Sequence, residues 1–285
     1  MHKTKELVSI NNIKMAVFDL DGTLLNSKGD LSEENIQTLI KAKHKGLKIV
    51  IASGRIYPML QSYIKRIGVV DYVISANGAS IDKIDEHMRI HEIYIDQSEA
   101  EKVVDFCKLN DIECLILKRE VSYYPDRSER LEKFLNYNNI SQALGYEAME
   151  LAHYNEKFDE YHHIEKLLIN EKNDVNMQKL MQFIESNTIL KYTKSGKLLL
   201  DISSQGVSKE EALKKVCEFC DISLDEVIAF GDYDNDIGMM EAAGFSVAPK
   251  NASDKALEAA DYITMSNDDD GIAYVLNKLI EMGKI

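Results

Sequence analysis

Short apolar runs alternate with polar stretches of helical periodicity in the amino-terminal part of this chain. The runs Ile13–Phe18 and Leu47–Ala52 have the length and composition of buried β-strands. Between them, Ser32 is a suitable N-cap for an amphipathic helix that is expected to end at Gly46. This alternation of strand and helix predicts a parallel sheet that is covered by helices on both faces.

The pattern changes in the middle of the chain, from about residue 83 to residue 196. Extended runs at His91–Ile95 and Cys114–Leu117 occur there together with helical stretches at Ser98–Leu109 and Asn176–Ser186. Tyr123, Tyr124 and Arg127 are aromatic and basic groups of the kind that suit sugar phosphates, although such groups are more often ordinary surface. No other pattern in this region indicates a ligand.

The strand–helix alternation resumes after Gly206, with short apolar runs at Val227–Phe230, Ser246–Ala248 and Tyr262–Met265. A length of 285 residues is sufficient for two domains, each with its own core. The sequence therefore predicts a discontinuous α/β core formed by residues 1–83 and 197–285, with an inserted domain formed by residues 84–196.

Two carboxylates follow the first predicted strand, in the run Asp19-Leu20-Asp21-Gly22-Thr23. Once the chain turns at Gly22, Asp19 and Asp21 can both face a ligand beyond the carboxyl end of the strand. One carboxylate would attack, and the other would transfer protons. The alternative is a tight turn in which Asp and Gly supply only local hydrogen bonds and a positive φ.

Three further polar groups also follow short apolar runs, which weakens the turn alternative. Ser53-Gly54-Arg55 combines a hydroxyl, a flexible glycine and a guanidinium, a set that suits phosphate. Lys209 stands at the predicted start of a helix, where its charge adds to the positive end of the helix dipole. The loop Gly231–Asp236 is acidic, and acidic loops bind hard cations.

These four motifs, in this order, resemble those of the haloacid dehalogenase superfamily of phosphohydrolases: Asp-x-Asp-x-Thr, Ser or Thr, Lys, and Gly-Asp-x-x-x-Asp. The runs Ala76–Ala79, Gly206–Lys209 and Asp269–Ala273 are similar to those of its Cof-type branch, which carries a large α/β cap of type IIB. The resemblance extends over essentially the whole chain. It implies a Rossmann-like parallel-sheet core with an inserted α/β cap.

The resemblance also implies a role for each motif residue. Asp19 would attack phosphorus and form an aspartyl phosphate, as carboxylate nucleophiles do when one difficult displacement is split into two. Asp21 would protonate the departing alcohol and later deprotonate the hydrolytic water. The expected phosphate-binding residues are Ser53, Gly54, Lys209 and Asn235.

A divalent cation is expected beside these groups, and Mg²⁺ is favoured because the candidate ligands are all oxygen atoms. By resemblance, the ligands are Asp19, Asp232 and the backbone carbonyl of Asp21. Asp236 would complete the metal site by holding the metal's water ligands or by a supporting contact.

The net charge of the chain excludes two classes of binding partner. The formal net charge of -14 argues against nucleic acid and anionic membranes as partners, because both require basic patches.

The pair Cys217-x-x-Cys220 suggests a redox or zinc site, but burial in an amphipathic helix is the stronger interpretation. The amino terminus lacks the apolar core of a signal peptide, and no apolar stretch is long enough to span a bilayer. We therefore expect a cytoplasmic protein, either a monomer or a weak homodimer.

Three functions are compatible with the sequence. The first is a Mg²⁺-dependent phosphatase that hydrolyses phosphate monoesters of small metabolites, such as sugar phosphates. The second is a sugar phosphomutase of the same superfamily, which would return the phosphoryl group to the substrate. The third is a catalytically silent binding or regulatory protein that has kept the fold.

Overall fold

The protein is described here by a computed structural model that covers residues 6–10, 12–154, 161–196 and 198–285. Residues 1–5, 11, 155–160 and 197 lie outside the described part, and they include the first residue of the predicted second core segment. The chain divides into two compact units. The first consists of Met1–Ser53, Tyr63–His91 and Ser208–Ile285, and the second of Gly54–Ser62 and Glu92–Val207.

The first unit is built on an eight-stranded sheet, whose strands are numbered along the whole chain: β1 (Met15–Phe18), β2 (Lys48–Ala52), β3 (Tyr72–Ser75), β4 (Ser80–Lys83), β5 (Met88–Glu92), β12 (Val227–Phe230), β13 (Phe245–Pro249) and β14 (Tyr262–Thr264). Their order is β14-β13-β12-β1-β2-β3-β4-β5. The six strands from β14 to β3 run parallel, and β4 pairs antiparallel with β3. The predicted parallel α/β core is therefore confirmed.

Helices cover the sheet of the first unit: α1 (Glu33–His44), α2 (Gln61–Ile67), α6 (Lys209–Cys220), α7 (Ile237–Ala242), α8 (Asp254–Ala259) and α9 (Gly271–Glu281). The predicted N-cap of α1 is confirmed, because the Ser32 hydroxyl accepts a hydrogen bond from the Asn35 backbone at 3.0 Å. Apolar side chains of α6 and α7 pack against Met15, Val17 and Val50 of the central strands. The helix α1 packs against α9.

The second unit has its own six-stranded sheet, in the order β10-β11-β9-β6-β7-β8. Its strands are β6 (Glu113–Leu117), β7 (Val121–Tyr124), β8 (Glu150–His153), β9 (Lys166–Asn170), β10 (Lys191–Lys194) and β11 (Leu199–Ser203). The described residues of this unit also form the helices α3 (Gln97–Leu109), α4 (Leu131–Ala143) and α5 (Asp174–Asn187). Residues of α3 and α5 form a separate hydrophobic core with inward-facing residues of β6, β9 and β11.

The unit boundaries differ from those that the sequence predicts. The strand β5 lies beyond residue 83 but belongs to the first sheet. The strand β11 lies beyond residue 197 but pairs with β9 and β10, which places it in the second sheet. The segment Gly54–Ser62 also belongs to the second unit. These differences arise because strand pairing is a long-range property, whereas the predicted boundaries rest on local pattern.

The cysteines have the environment of core residues. Cys107, Cys114 and Cys217 are buried and Cys220 is half-buried, and no disulfide joins cysteines of the described part. Burial raises the pKa of the Cys217 thiol to about 12, so this group is far from a reactive thiolate. This supports burial over a redox or zinc role for the Cys217–Cys220 pair. Among the described helices, none combines the length and apolar character that crossing a membrane requires.

A buried ion pair holds Gly54, the first residue of the segment Gly54–Ser62, to the sheet of the second unit. Lys166 Nζ lies 2.8 Å from Asp201 Oδ1 and donates a second hydrogen bond of 2.7 Å to the Gly54 carbonyl. Lys166 and Asp201 are 5% and 3% exposed. Because both charges are paired and hydrogen-bonded, the pair is tolerated in a site that solvent barely reaches.

We expect Asp201→Asn to destabilise the second unit on the order of 3–5 kcal/mol, because it leaves the Lys166 charge buried without its counter-ion. Chemical denaturation, with hydrogen exchange of β9 and β11 as the local readout, measures the effect. The matched control is Glu129→Gln, which removes the exposed ion pair between Lys172 and Glu129 and should change little. Equal stability of the two variants would contradict this account of the buried pair.

Candidate active site

The functional residues of the first unit follow the carboxyl ends of its central parallel strands. Asp19 comes directly after β1, and its backbone N–H donates to the Phe230 carbonyl at 2.9 Å, which extends the pairing with β12. Gly231 likewise donates to the Val247 carbonyl of β13 at 3.2 Å. Loops that leave neighbouring parallel strands at one edge form the ligand-binding crevice of open α/β sheets.

A buried lysine joins two of the acidic residues. Lys209 is the first residue of α6, which begins there because the Ser208 hydroxyl accepts a hydrogen bond from the Glu211 backbone at 3.0 Å. Lys209 Nζ donates to Asp19 Oδ1 at 2.5 Å and to Asp236 Oδ1 at 2.6 Å. Its side chain is 0% exposed. The lysine therefore fixes the positions of two carboxylates that lie on separate loops.

Asp236 closes the acidic loop on itself. Its Oδ2 accepts hydrogen bonds from the backbone N–H groups of Asp232 and Tyr233, both at 3.1 Å. A Cβ atom at Gly231 would lie 2.4 Å from the Cβ of Asp236, so only glycine permits this approach. With Lys209 on Oδ1, both carboxylate oxygens of Asp236 have partners.

Asp232 is held in place by hydrogen bonds from the loop after β1 and from the loop after β13. Its Oδ1 accepts a hydrogen bond of 2.7 Å from the Thr23 hydroxyl, and its carbonyl accepts one of 2.8 Å from the Ser253 backbone. Gly22 has a φ of +89°, and a Cβ there would lie 2.4 Å from Asp232 Oδ2. The turn after β1 therefore needs glycine both for its conformation and for the close approach of Asp232.

Asp19, Asp232 and Asp236 form a cluster that has the chemistry of a site for a divalent cation. Each offers one carboxylate oxygen, and these oxygens lie within 4.8 Å of one another. An all-oxygen donor set suits a hard cation such as Mg²⁺ or Ca²⁺. The residues present therefore fit a divalent cation.

The pKa values show the electrostatic cost of this arrangement. Burial raises the pKa of Asp19 well above its usual value, Lys209 opposes the rise, and Asp236, Asp232 and Asp21 add to it. Burial, together with the Asp236 charge, raises the pKa of Asp232 to about 7. Burial lowers the pKa of Lys209, but the two carboxylates that it contacts outweigh this and raise it above its usual value. A bound cation would relieve the repulsion among the carboxylates.

Ser53 and Asn235 are connected through a third residue, Asn77. Ser53 is buried after β2, and its carbonyl accepts a hydrogen bond of 3.0 Å from the Asn77 backbone. Asn77 has a φ of +58°, and its Oδ1 accepts a hydrogen bond of 3.1 Å from Asn235 Nδ2. A Cβ at Gly78 would lie 2.3 Å from the Ser208 carbonyl, so this loop packs tightly against the start of α6. The run Ala76–Ala79 therefore connects Ser53, Asn235 and the start of α6.

Two further predicted site residues have other described contacts. Asp21 is exposed in the turn after β1 and forms an isolated bridge with Leu25. Gly54 belongs to the second unit, where its carbonyl accepts the hydrogen bond from Lys166. The other predicted residues are joined directly or through Asn77: Asp19, Ser53, Lys209, Asp232, Asn235 and Asp236.

Three residues without a predicted role in catalysis or binding hold these loops in place. Thr23, the threonine of the Asp-x-Asp-x-Thr motif, is expected from the sequence to support the turn, and its hydroxyl donates to Asp232. Asn77 links Ser53 to Asn235, and Asn251 Nδ2 donates to the Gly22 carbonyl at 2.7 Å. Asn77 and Asn251 follow the ends of β3 and β13. The signal that singles out Asp19, a polar residue just after a buried strand, would have found both.

Comparison with known proteins gives consistent relatives over nearly the whole chain. A sequence profile of haloacid dehalogenase-like hydrolases matches residues 16–276. Phosphatase YwpJ of Bacillus subtilis (strain 168) is 29% identical, and the match covers 94% of this chain and 100% of YwpJ. The 5-amino-6-(5-phospho-D-ribitylamino)uracil phosphatase YwtE of the same strain is 27% identical, with coverage of 94% and 98%.

Solved structures agree with these sequence matches. A haloacid dehalogenase-like hydrolase from B. subtilis has a TM-score of 0.82 at 27% identity, covering 94% of this chain and 100% of that one. One from Bacteroides thetaiotaomicron has a TM-score of 0.80 at 26% identity, with coverage of 94% and 99%. The similarity therefore includes both units of the chain.

The contact between Gly22 and Asp232 predicts that Gly22→Ala impairs cation binding. Gly29→Ala is the matched control, because Gly29 also has a positive φ, +79°, but a Cβ there meets nothing within 4 Å. Both variants should lose about 1–2 kcal/mol of stability from the left-handed backbone. Only Gly22→Ala should also bind Mg²⁺ or Mn²⁺ more weakly by isothermal titration calorimetry. Equal cation affinity of the two variants would show that Asp232 takes no part in binding.

The raised pKa of Asp232 predicts that cation affinity depends on pH. Below about pH 7 a bound proton must be displaced, so affinity should fall roughly tenfold per pH unit, and it should level off above pH 7. Calorimetric titration with Mg²⁺ from about pH 6 to about pH 8 measures this, because linked proton release alters the apparent affinity and heat.

Thr23→Val should move the midpoint of this pH dependence upward, since the Thr23 hydroxyl lowers the pKa of Asp232. Thr38→Val is the control, because it removes a buried hydroxyl that contacts Asn277 instead. Cation affinity that is independent of pH over this range, or an equal shift in Thr38→Val, would contradict the assignment.

Proposed function

The chain belongs to the haloacid dehalogenase-like hydrolases, and on that basis we propose that it is a Mg²⁺-dependent phosphatase of small phosphorylated metabolites, such as sugar phosphates. The observation that carries this proposal is the cluster of Asp19, Asp232 and Asp236 around the buried ammonium group of Lys209. Two relatives that match over 94% of this chain, YwpJ and YwtE, are named phosphatases, and this supports hydrolysis of a phosphate ester as the reaction. The cluster supplies a carboxylate nucleophile and positive charge within one crevice, which is what attack on a phosphate monoester requires.

Asp19 is the proposed nucleophile. Its carboxylate attacks phosphorus, the P–O bond to the leaving group breaks, and the product is an aspartyl phosphate. Lys209 orients Asp19 through the 2.5 Å hydrogen bond to Oδ1. The ammonium charge also offsets the negative charge of the phosphoryl oxygens, and burial strengthens this interaction.

Mg²⁺ is the proposed cofactor, and when bound it supplies positive charge that neutralises the phosphoryl oxygens. Asp19, Asp232 and the backbone carbonyl of Asp21 are the proposed ligands. Asp236 already accepts hydrogen bonds from Lys209 and from the backbone of Asp232 and Tyr233. We therefore assign Asp236 to shaping the acidic loop and to supporting the metal's water ligands.

Asp21 is the proposed general acid and base. Its exposed position in the turn after β1 is compatible with exchange of protons with a leaving group and with solvent. In the first step it protonates the ester oxygen as the P–O bond breaks. In the second step it removes a proton from the water that attacks the aspartyl phosphate, which releases inorganic phosphate and restores Asp19.

Four residues are proposed to bind the phosphoryl oxygens: Ser53, Gly54, Lys209 and Asn235. Asn77 contacts the Ser53 backbone and the Asn235 side chain, which supports a shared function for these two residues. The second unit is proposed to act as a cap that selects the leaving group and excludes competing water. A cytoplasmic location, a monomer or weak homodimer, and the absence of nucleic acid and membrane partners stay predictions.

We predict that wild-type protein releases inorganic phosphate from phosphorylated metabolites with Mg²⁺, and that chelation of the metal or Asp19→Asn abolishes the release. The substitution keeps the size of the side chain but removes the charge needed for attack. A panel of sugar phosphates, assayed by phosphate release, measures this. Asp234→Asn is the matched control, because Asp234 lies in the same acidic loop but pairs with Lys255.

Release that persists in Asp19→Asn would show that Asp19 is not the nucleophile. Isomerised product in place of inorganic phosphate would indicate a phosphomutase. No reaction with any compound would favour a catalytically silent binding protein, and the proposed function would then be wrong.

A further inference from the structure

Two asparagines of the first unit hold the turn that follows β1. Asn251, in the loop after β13, donates from Nδ2 to the Gly22 carbonyl at 2.7 Å. Asn267, in the loop after β14, donates from Nδ2 to the Leu25 carbonyl at 2.8 Å. The two asparagines are joined, because the Asn267 backbone N–H donates to Asn251 Oδ1 at 2.9 Å. Two loops of this unit thus form a single hydrogen-bonded network against the turn.

The orientation of the Asn251 amide is fixed by its partners. A backbone N–H can only donate, so the oxygen of this amide faces Asn267 and its NH₂ group faces the Gly22 carbonyl. Asn267 is 8% exposed, and both its backbone N–H and its side-chain NH₂ group have acceptors. A carboxylate in place of either amide would lack the N–H donor, so the network requires asparagine at both positions.

The loop that carries Asn267 is shaped by the run Asp269–Ala273, which the family resemblance marks but the proposed mechanism does not use. The Thr264 hydroxyl donates to the Gly271 carbonyl at 2.8 Å. A Cβ atom at Gly271 would lie 2.2 Å from the Met265 carbonyl oxygen, so only glycine permits this path of the backbone. The run therefore places Asn267 against the turn after β1.

The two carbonyls that the asparagines hold are on either side of Asp21 in the turn. Gly22 follows Asp21 in the sequence, and Leu25 forms a backbone bridge with it. Because a single methylene group separates the carboxyl group of Asp21 from its Cα atom, the backbone determines which positions this group can reach. A proton donor must lie within hydrogen-bond distance of the atom that it protonates, and a small displacement is costly.

We propose that Asn251, supported by Asn267, is a positioning residue for Asp21, because it holds the turn after β1 where the Asp21 carboxyl group reaches the leaving-group oxygen of the substrate. The proton passes from Asp21 to this oxygen while the P–O bond breaks, as in the proposed first step. A substrate whose leaving group needs a proton then depends on Asn251, and one whose leaving group departs as a stable anion does not. This inference rests on the proposed phosphatase function.

Two classes of phosphate monoester test the inference. The alcohols of glycerol 3-phosphate and glucose 6-phosphate need a proton to depart, whereas p-nitrophenolate leaves p-nitrophenyl phosphate without one. At saturating Mg²⁺, Asn251→Ala should reduce kcat/KM about 10- to 100-fold for the alkyl esters and less than about threefold for the p-nitrophenyl ester, as partial loss of a general acid predicts. This ratio is measured because it reports the steps up to departure of the alcohol. Asn251 is exposed, so the substitution should leave the fold intact.

Asn277→Ala is the matched control. The Asn277 amide also has two partners, since its Nδ2 donates to the Thr38 hydroxyl at 3.2 Å and its Oδ1 accepts from Lys41 Nζ at 3.0 Å. These contacts join α9 to α1 instead of the turn, so both ester classes should keep the wild-type kcat/KM. An equal loss for alkyl and p-nitrophenyl esters in Asn251→Ala would show a merely structural role and overturn the inference.

A double-mutant cycle tests whether Asn251 acts through Asp21. Asp21→Asn should by itself show the selective loss with alkyl esters, and to a larger extent than Asn251→Ala. When Asn251→Ala is added to Asp21→Asn, kcat/KM for the alkyl esters should change less than about twofold, because residues that act as a unit are not additive. Losses that multiply would show that Asn251 acts by another route, and the inference would be wrong.

Hydrogen exchange separates failure of the inference from failure of the proposed function, since it needs no turnover. The backbone N–H groups of Thr23 and Leu25 both donate to the Leu20 carbonyl, at 3.3 and 2.8 Å, so their exchange reports the order of the turn. We expect exchange to be about tenfold faster in Asn251→Ala and unchanged in Asn277→Ala. Unchanged exchange in Asn251→Ala would overturn the inference, whatever the turnover. Faster exchange in a protein that releases no phosphate would support the hold of Asn251 on the turn and contradict the proposed function.

Discussion

The hydrogen bonds from the buried Lys209 ammonium group to Asp19 and Asp236 are the interaction on which the candidate active site depends. The three clustered carboxylates and this one ammonium group would carry two uncompensated negative charges if all four were ionised. Burying such charge is costly unless it is paired, hydrogen-bonded or neutralised by a cation. The raised pKa values of Asp19 and Asp232 reflect this cost. The site is therefore built for binding charge at the expense of local stability, as functional sites often are.

Close backbone approach is the second constraint on this site. Glycine is required at Gly22 against Asp232, at Gly231 against Asp236 and at Gly78 against Ser208. These contacts bring together loops that follow β1, β3 and β12 and the start of α6. A side chain at Gly22 would push the loops after β1 and β12 apart, one at Gly231 would open the acidic loop, and one at Gly78 would push the loop after β3 away from α6. The glycines therefore keep the carboxylates and the lysine in their positions. Preorganisation of this kind lets a site stabilise developing charge without rearrangement.

The first unit was more predictable from the sequence than the second, for a local reason. The strand β12 matches the predicted run Val227–Phe230, and α1 has the predicted cap at Ser32, because apolar runs and caps are short-range signals. The helix α4 was missed because only Phe134 and Ser141 are buried along it, which leaves no apolar stripe to detect. The order of apolar and polar residues along β11 also does not show that this strand pairs with β9.

The candidate site was predictable only where a polar residue follows an apolar run. Asp19 and Asp232 satisfy that rule. The contact of Asp19 with Lys209 joins residues 190 positions apart, and the family resemblance implied only that both residues belong to one site. In the second unit, no polar residue after an apolar run indicated a ligand. The sequence offered only Tyr123, Tyr124 and Arg127 as groups that suit sugar phosphates. The structure places Tyr123 in the core against Tyr161.

The most direct test of the central claim, that Asp19 is a nucleophile held by Lys209, is to trap the covalent intermediate. The protein would be mixed rapidly with Mg²⁺ and a phosphorylated substrate and quenched in acid, and the phosphorylated residue would be located by peptide mapping. The account predicts a transient, hydroxylamine-sensitive acyl phosphate on the peptide that contains Asp19, formed no more slowly than phosphate is released. Phosphate release without any labelled protein, or a label on another residue, would contradict it.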